Sequence, residues 1–176
     1  MIVIETERLL LREFKNDDLD AVAAMTADPE VMRYLGDGRT IDRADAWRQM
    51  AMFMGHWALR GYGVWALEER RSGAFVGRAG LFYPDGWPAP ELVWALARPH
   101  WGKGYATEAT RAALDHAFGA LGWERAISLI RPENARSVRV AERLGETLEG
   151  RVELRGLEAL VYSVSRAAWR AGRGAA

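Results

Sequence analysis

An apolar run, residues 91–97, leads through Arg-Pro-His-Trp to two glycines, Gly102 and Gly104, which flank a lysine and precede good helix formers. A strand that passes through glycines into a helix collects free backbone N–H groups and the positive end of the helix dipole at one point, where an anion can bind. Glycine also removes the Cβ atom that would keep a ligand away from the backbone. The feature therefore predicts a mixed α/β chain with a phosphate-binding turn.

The glycine spacing alone leaves an alternative open. It matches neither the Walker pattern of nucleotide-binding loops nor the Gly-x-Gly-x-x-Gly pattern of dinucleotide-binding folds. A short Gly-x-Gly can also be a tight strand-to-helix turn that needs glycine for its backbone conformation alone.

The composition is that of an ordinary globular domain. Apolar residues make up 49% and charged residues 27% of the 176 residues, and the formal net charge is zero. A chain of this length can bury one core of normal size. The zero net charge argues against binding through bulk positive charge, so we expect no nucleic-acid partner.

No cysteine is present, which excludes disulfides, thiolate metal sites and covalent catalysis by cysteine. We expect no metal. The first residues, MIVIETERLLLREF, carry charge early, so no uninterrupted apolar leader is visible. The longest mostly apolar stretch, MAMFMGHWAL, is about half of the ~20 residues that a membrane span needs. We expect a cytoplasmic protein with no membrane partner.

Hydrophobic periodicity and turn residues predict elements in the order β-α-α-β-β-β-α-β-α-β-β. The four helices of this order start after residues 16–18, after Thr40, after Gly104 and after Asn134, and the last two end at Gly122 and Gly145. A further short helix is predicted within residues 27–38. The predicted strands cover residues 8–14, 63–69, 74–82, 91–97, 124–130, 149–154 and 157–165. We expect one domain over residues 1–170. We expect the last eight or so residues to fray and residues 171–176 to lie outside the domain.

The stretch WGKGYATEA closely resembles the acyl-CoA-binding loop of the GNAT superfamily of N-acetyltransferases, whose pattern is Gln/Arg-x-x-Gly-x-Gly/Ala. Trp101 stands in the Gln/Arg place, Gly104 in the central glycine place and Ala106 in the last place. The departure at Trp101 is common in the bacterial branch that acetylates ribosomal-protein N-termini. The N-terminal signature of that branch is similar to ETERLLLREF with DPEVMRYL in this chain. Its Asn-x-x-Ser helix is similar to PENARSVRVAERLG, and its closing strand is similar to EALVYSVSRAAW. The resemblance covers nearly the whole chain and implies the GNAT fold, an α/β fold with a mixed, mostly antiparallel central sheet, splayed strands and flanking helices.

The resemblance implies acetyl-CoA as the cofactor. The pyrophosphate would lie on backbone amides of residues 101–106, and the pantetheine arm would pair with residues 91–97, which splay from residues 124–130. Arg98 and Lys103 can add positive charge near the phosphates, although Arg98 can equally be a solvated residue at the strand end. His100 is expected to shape the loop. The implied cofactor-binding residues are Leu96, Ala97, Trp101, Gly102, Lys103, Gly104, Tyr105, Ala106, Asn134 and Ser137.

Acetyl transfer to an amine needs a neutral amine, a hydrogen-bond donor for the oxyanion and a donor for the leaving thiolate. Without cysteine, direct attack in a ternary complex is the economical route. Many GNAT enzymes use a tyrosine at the place of Ala141, whereas the ribosomal-protein branch uses a serine at the place of Ser137. The resemblance thus implies Ser137 as the thiolate donor and Asn134 as a partner of the pantetheine amide. The alternatives are a helix N-cap for Asn134 and an ordinary first-turn residue for Ser137.

Glu91 is the candidate base, because a carboxylate on the strand that holds the thioester can take the amine proton through water. The alternative is a solvated residue at the strand end. We expect the acceptor pocket to be formed by the first helices, the loop between them and Tyr83 on the opposite side. Aromatic residues, however, more often belong to a protein's core than to a binding site. Eight tryptophans favour an aromatic-lined acceptor cleft. The substrate-binding candidates are Met32, Tyr34, Trp47, Trp57 and Tyr83.

These features predict an acetyl-CoA-dependent N-acetyltransferase. The acceptor is a protein N-terminus or a small primary amine, and the sequence does not decide between them. The sequence also leaves open whether the protein forms a homodimer. The alternative is a non-catalytic CoA-binding sensor or interaction module, which the presence of both Asn134 and Ser137 disfavours. A nucleotide-binding regulator is disfavoured by the missing Walker lysine–serine pair.

Overall fold

The computed structural model describes residues 2–173, in which eight strands form one sheet. In space the strands follow the order β1-β2-β3-β4-β5-β6-β8-β7. Their bounds are β1 (Ile4–Glu5), β2 (Leu9–Arg12), β3 (Val64–Glu69), β4 (Phe75–Phe82), β5 (Glu91–Leu96), β6 (Arg125–Ile130), β7 (Thr147–Leu154) and β8 (Leu157–Ser165).

Six α-helices flank the sheet, and local capping chemistry sets where several of them begin. The side chains of Asp28 and Asp42 accept backbone N–H groups at the starts of α2 and α3, and Gly61 ends α3 with a left-handed backbone. Within residues 2–173, no helix has the length and the hydropathy to cross a membrane. The helices are α1 (Leu19–Thr26), α2 (Pro29–Met32), α3 (Arg43–Arg60), α4 (Tyr105–Gly119), α5 (Ala135–Arg143) and α6 (Arg166–Arg173).

The sheet is antiparallel except between β5 and β6, which run parallel. The chain crosses from β5 to β6 through α4, as a parallel pair requires. The register of this pair contains one position, Glu91 opposite Ile127, and beyond it the strands part. The expected mixed, mostly antiparallel sheet with splayed strands is therefore confirmed, and the parting opens a cleft in the middle of the molecule.

The helices bury the two faces of the sheet, because successive strand residues point to opposite sides. On one face, α4 packs its alanines against Trp65, Leu81 and Leu92. On the other face, α1 and α3 pack against Val64 and Ala66. The cleft between β5 and β6 lies between these two packed layers.

All of the predicted strands and helices are present, with bounds that differ by a few residues. The sequence does not predict β1 or α6. The expected fraying from residue 169 is wrong for the described part of the tail, since α6 extends to Arg173. Trp169 is buried, and its indole N–H donates to Asp115 on α4. Residues 174–176 lie outside the described residues.

Candidate active site

A cleft of about 790 Å³ lies where β5 and β6 part. Its walls come from the end of β5, the glycine turn with the start of α4, one face of α5, and α2 with the loop that follows it. The segments expected to hold phosphate and pantetheine therefore meet in one place.

The glycine turn has a backbone that requires glycine at two positions. Gly102 and Gly104 have φ angles of 74° and 83°, in the left-handed region that other residues rarely adopt. Gly104 is the N-cap of α4, so the first N–H groups of the helix have no partner within it. Both glycines and Ala106 line the cleft. Together with the helix dipole, this turn fits a phosphate group.

Trp101 ties the glycine turn to the end of β5. Its indole Nε1 donates to the carbonyl of Leu96 at 2.8 Å. The guanidinium of Arg136, from α5, lies 4.4 Å from the centre of the Trp101 ring. In the place where the family pattern has Gln or Arg, Trp101 thus joins β5, the turn and α5.

Arg8 braces the same turn from the outside. Its Nη1 donates to the carbonyl of Lys103 at 2.8 Å, and its guanidinium lies 4.7 Å from the centre of the Tyr105 ring. Glu108 accepts from Nε of Arg8 at 2.7 Å and from the hydroxyl of Thr6 at 2.6 Å. Burial opposes the ionised form, but these hydrogen bonds hold the pKa of Glu108 below its ordinary value. Sequence reasoning missed this brace because its two halves are far apart in the chain.

Side chains satisfy two β5 carbonyls along the gap between β5 and β6. Trp101 occupies the carbonyl of Leu96, and the hydroxyl of Ser128 lies 3.3 Å from the carbonyl of Leu92. Backbone groups two residues apart point to the same side of a strand. The N–H and C=O of Trp94 therefore face the gap between these two positions, where an extended amide chain can pair with them.

Asn134 and Ser137 stand at the start of α5, and both line the cleft. Oδ1 of Asn134 accepts the backbone N–H of Ser137 at 3.2 Å, so Asn134 is the N-cap of the helix. The hydroxyl of Ser137 is half-buried and has no hydrogen-bond partner among residues 2–173. Ala141 is fully buried, so its position offers no donor to the cleft.

Glu91 is not a solvated strand-end residue, because only 6% of it is exposed. Its Oε2 accepts from Nε1 of Trp87 at 2.6 Å, and its Oε1 accepts from the backbone N–H of Leu129 on β6 at 3.2 Å. Burial raises the pKa of Glu91 to about 7, although both hydrogen bonds favour the ionised form. Glu91 is not among the residues that line the cleft. Its carboxyl joins β5 and β6 at the point where they diverge.

A second buried carboxyl, Glu146, lies beside this point. Its Oε1 lies 3.0 Å from the hydroxyl oxygen of Ser128, and its Oε2 is shielded from solvent with no partner in the described residues. Burial raises the pKa of Glu146 to about 8, and the charge of Glu91 raises it further. Glu146 therefore carries a proton at neutral pH. Nothing in the sequence marks this residue as buried.

The acceptor candidates are scattered. Tyr34 lines the cleft, whereas Met32, two residues earlier in the sequence, is buried and is not part of the wall. Trp47 is 53% exposed, and Tyr83 packs against the end of α3. The assignment of Trp57 to the acceptor pocket is wrong, because its indole N–H donates to a β3 carbonyl within the main core. The aromatic residues that line the cleft are Tyr34, Trp94, Trp101 and Tyr105.

The cofactor-binding candidates are brought together, since all of them except Ala97 and Lys103 line the cleft. Arg98 does not point at the phosphate turn, because it forms an ion pair with Asp28 at 2.8 Å. His100 lines the cleft, and burial and the charge of Lys103 lower its pKa.

Sequence reasoning missed the arginines of α5 that line the cleft, Arg136, Arg139 and Arg143. Their spacing of three and four residues places them on one helix face, and this periodicity is the signal that could have found them. With Arg33, they face only two glutamates in the cleft wall. The excess of positive charge suits a ligand with several phosphates. Across residues 2–173, no group of three or more His, Asp or Glu side chains could hold a metal ion.

The family model of the acetyltransferase (GNAT) domain matches residues 8–147. The chain is similar to the uncharacterized protein YkkB of Bacillus subtilis, with 35% identity over 148 residues that span 80% of this chain and 82% of YkkB. It is also similar to the uncharacterized N-acetyltransferase p20 of Bacillus licheniformis, with 30% identity over 152 residues and 85% of each chain covered.

Solved structures share the architecture. An acetyltransferase from Agrobacterium tumefaciens strain C58 matches with a TM-score of 0.84 and 32% identity, covering 93% of this chain and 94% of that one. A ribosomal L7/L12 alpha-N-protein acetyltransferase in complex with coenzyme A shares the fold, with a TM-score of 0.76 at 18% identity over 93% of this chain and 98% of that one. Sequence and structure therefore agree that the chain belongs to the GNAT family and is an acyl-transferring enzyme.

Proposed function

We propose that this protein transfers the acetyl group of acetyl-CoA to a primary amine by direct attack while both substrates are bound. One observation carries the proposal: a single cleft contains the glycine turn, the open backbone of Trp94 and the free hydroxyl of Ser137. Because the chain has no cysteine, a thioester on the enzyme is not available as an alternative route.

The residues of the cleft fit acetyl-CoA, which supplies the activated acetyl group when bound. The unpartnered N–H groups at the start of α4 would hold the pyrophosphate. Arg136, Arg139 and Arg143 would supply positive charge to the phosphates. The backbone of Trp94 would pair with the pantetheine arm as one strand pairs with another.

Ser137 is the proposed donor to the departing sulfur. Its hydroxyl has no other partner in the described chain, and its backbone is fixed by the cap from Asn134 at 3.2 Å. A hydroxyl held in this way can donate a hydrogen bond to a developing thiolate without first giving up another bond. Asn134 would hold the pantetheine through the part of its amide that does not cap α5.

Glu91 is the proposed acceptor of the proton that the amine must lose. A pKa of about 7 lies close to neutral pH, where a general base works best. Because Glu91 does not line the cleft, the proton would reach it through water.

The proposed acceptor is a protein N-terminus or a small primary amine. Val31, Tyr34 and Leu35 give the α2 side of the cleft an apolar and aromatic wall that suits either class. The structural relative named as a ribosomal L7/L12 alpha-N-protein acetyltransferase supports the first class by likeness of fold alone.

Release of free thiol from acetyl-CoA across a panel of amines and N-terminal peptides tests the proposal. We expect release that depends on both the protein and one class of amine, with the acetylated amine identified by mass spectrometry. Binding of acetyl-CoA without amine-dependent release would instead identify a CoA-binding sensor or interaction module.

A further inference from the structure

Two arginines are buried among the residues that the structure describes, and their surroundings differ. Arg12 is 7% exposed and is held by Asp18 and Glu68, with Nη2–Oδ1 and Nε–Oε2 distances of 2.7 and 2.6 Å. These two carboxylates raise the pKa of Arg12 above its ordinary value. Arg12 shows the usual arrangement, in which a buried charge is paired.

Arg78, on β4, is 8% exposed and has no acidic partner among residues 2–173. Its Nη1 donates to Oε1 of Gln49 at 2.8 Å, and its guanidinium lies 5.1 Å from the centre of the Phe53 ring. Burial lowers the pKa of Arg78 to about 10, so it remains charged at neutral pH. A buried cation with one neutral partner is energetically unfavourable and calls for a physical reason.

Nε and Nη2 of Arg78 have no hydrogen-bond partner among residues 2–173, and neither atom is completely shielded from solvent. A guanidinium has five N–H donors, so most of those on Arg78 are unpaired within the described chain.

Arg78 does not itself line the cleft, but it stands beside a residue that does. In the antiparallel register of β4 and β5, Arg78 stands opposite Ala95, and Ala95 lines the cleft. Side chains of directly paired strand residues have Cβ atoms about 5 Å apart on the same face. Because Ala95 carries only a methyl group, it does not screen the guanidinium from a ligand lying over β5.

We propose that Arg78 binds a carboxylate of the acceptor, so that the acceptor is a primary amine that also carries a negative charge. This inference rests on the proposed acetyl transfer. The planar guanidinium matches a carboxylate in a two-point hydrogen bond, which a solvated surface cation would not provide with the same selectivity. The missing partner of Arg78 is then a group that arrives with the substrate.

The test compares each acceptor with its neutral isostere. At saturating acetyl-CoA, kcat/KM is measured for L-amino acids and for their α-carboxamides, and for the peptides Ser-Asp-Gly-amide and Ser-Asn-Gly-amide. The first pair reports a free amino acid as the source of the carboxylate, and the second reports an acidic side chain near a protein N-terminus. For one pair, we expect the preference of the wild type for the carboxylate member to exceed that of an Arg78 variant by about 30-fold or more.

Arg78→Met should abolish that preference by lowering kcat/KM for the carboxylate member more than for the neutral member. The ratio of kcat/KM for the carboxylate member to kcat/KM for the amide member is compared between variants. A difference in amine pKa within a pair then cancels. Arg71→Met, in the exposed turn between β3 and β4, is the matched control and should keep the wild-type ratio. Arg78→Gln is a second variant in case the methionine variant does not fold. A carboxylate-to-amide ratio that both Arg78 substitutions leave at the wild-type value overturns the inference.

A thermal arm separates this inference from the proposed function. Coenzyme A-loaded protein is melted with the N-acetylated forms of both pairs, the amino acids with their amides and Ser-Asp-Gly-amide with Ser-Asn-Gly-amide, which are products and need no turnover. We expect the carboxylate forms to raise the melting temperature of the wild type more than the amides do, and this difference to vanish in Arg78→Met. If no amine yields free thiol, acetyl transfer is wrong, and this arm still decides whether Arg78 binds a carboxylate. Equal stabilisation by acid and amide rejects the Arg78 site.

Discussion

At the scale of single residues, Ser137 separates an enzyme from a binding module. Its backbone is fixed by Asn134 and its hydroxyl is free in the cleft. We predict that Ser137→Ala lowers turnover by about 10²-fold, because it removes a hydrogen bond that strengthens as the thiolate leaves. Affinity for acetyl-CoA should change little, since the glycine turn and the Asn134 cap remain.

The measurement pairs calorimetric affinity with turnover on the best amine found. Ser72→Ala, in the hairpin between β3 and β4, also removes a serine hydroxyl and is the control for a general loss of stability. Unchanged turnover in Ser137→Ala would remove this residue from the mechanism and leave water as the source of the thiolate's proton.

Glu146 is predicted to make the stability of the protein depend on pH. Its pKa rises from 4.5 in the unfolded chain to about 8 in the folded protein, so the folded state holds a proton that the unfolded state releases between these values. The stabilising contribution is complete below about pH 4.5 and is lost as the pH rises through about 8. Glu146→Gln keeps a neutral side chain and should be more stable than the wild type at pH 8–9, on the order of a few kcal/mol.

Urea unfolding at a series of pH values measures this effect. The difference between Glu146→Gln and the wild type should shrink toward pH 5, where the wild-type carboxyl is protonated in the folded state. Exposed Glu142, substituted to Gln, is the control and should follow the wild-type profile. Parallel profiles for all three proteins would show that Glu146 is not a buried neutral carboxyl.

The residues of the candidate site that the sequence predicts lie in short motifs, where local spacing carries the information. Asn134 and Ser137 stand one helical turn apart in the chain and in the structure. The burial of Glu91 was not predictable, because it depends on Trp87 and on the β6 backbone. The burial of Arg78 was likewise not predictable, because it depends on the neighbouring strands β3 and β5 and on α3.

At the scale of elements, the glycine turn is the clearest target. We predict that Gly104→Val abolishes acetyl-CoA binding, because a branched side chain at the N-cap of α4 blocks the approach of phosphate to the backbone. The same change forces an L-residue to a φ of 83°, which costs about 1–3 kcal/mol whether or not a ligand binds there.

Gly73→Val separates the two effects. Gly73 has a φ of 70° in the hairpin between β3 and β4 and does not line the cleft. Both variants should lose stability in urea unfolding, Gly104→Val more because its Cβ would lie 3.3 Å from Nη2 of Arg8, whereas a Cβ at Gly73 meets no other atom within 4 Å. Only Gly104→Val should lose the calorimetric signal of acetyl-CoA. Normal binding by Gly104→Val would make the turn purely structural.

The elements themselves were predictable where pattern and caps agree, as for α3 between Asp42 and Gly61. The helix α6 was not, because its main anchor is tertiary: Trp169 packs against Phe118 on α4, with ring centres 6.3 Å apart. The short strand β1 exists only through its pairing with β2.

At the scale of the whole molecule, we predict that acetyl-CoA and coenzyme A stabilise the fold and that ATP and NAD do not. Free ligand at about 100 times its dissociation constant adds about 2.7 kcal/mol to the free energy of unfolding. ATP and NAD have phosphates for the glycine turn but no pantetheine arm to pair with Trp94. The check is a thermal melt with each ligand at millimolar concentration, and a melting temperature unmoved by acetyl-CoA would contradict the proposed cofactor.

The parting of β5 and β6 affects how this protein avoids self-association through open sheet edges. Most sheets carry their unpaired edges on the outside, where they invite pairing with other chains and must be protected. Here an additional edge lies inside the molecule, at Trp94, with α4 and α5 on either side. Only a slender, extended chain can reach it, and a folded neighbour cannot. Because β5 and β6 pair only at Glu91, the backbone of Trp94 beyond this pair stays open to ligands. The shape of a ligand therefore decides whether it can pair with this backbone, before any charged group or hydroxyl contacts it.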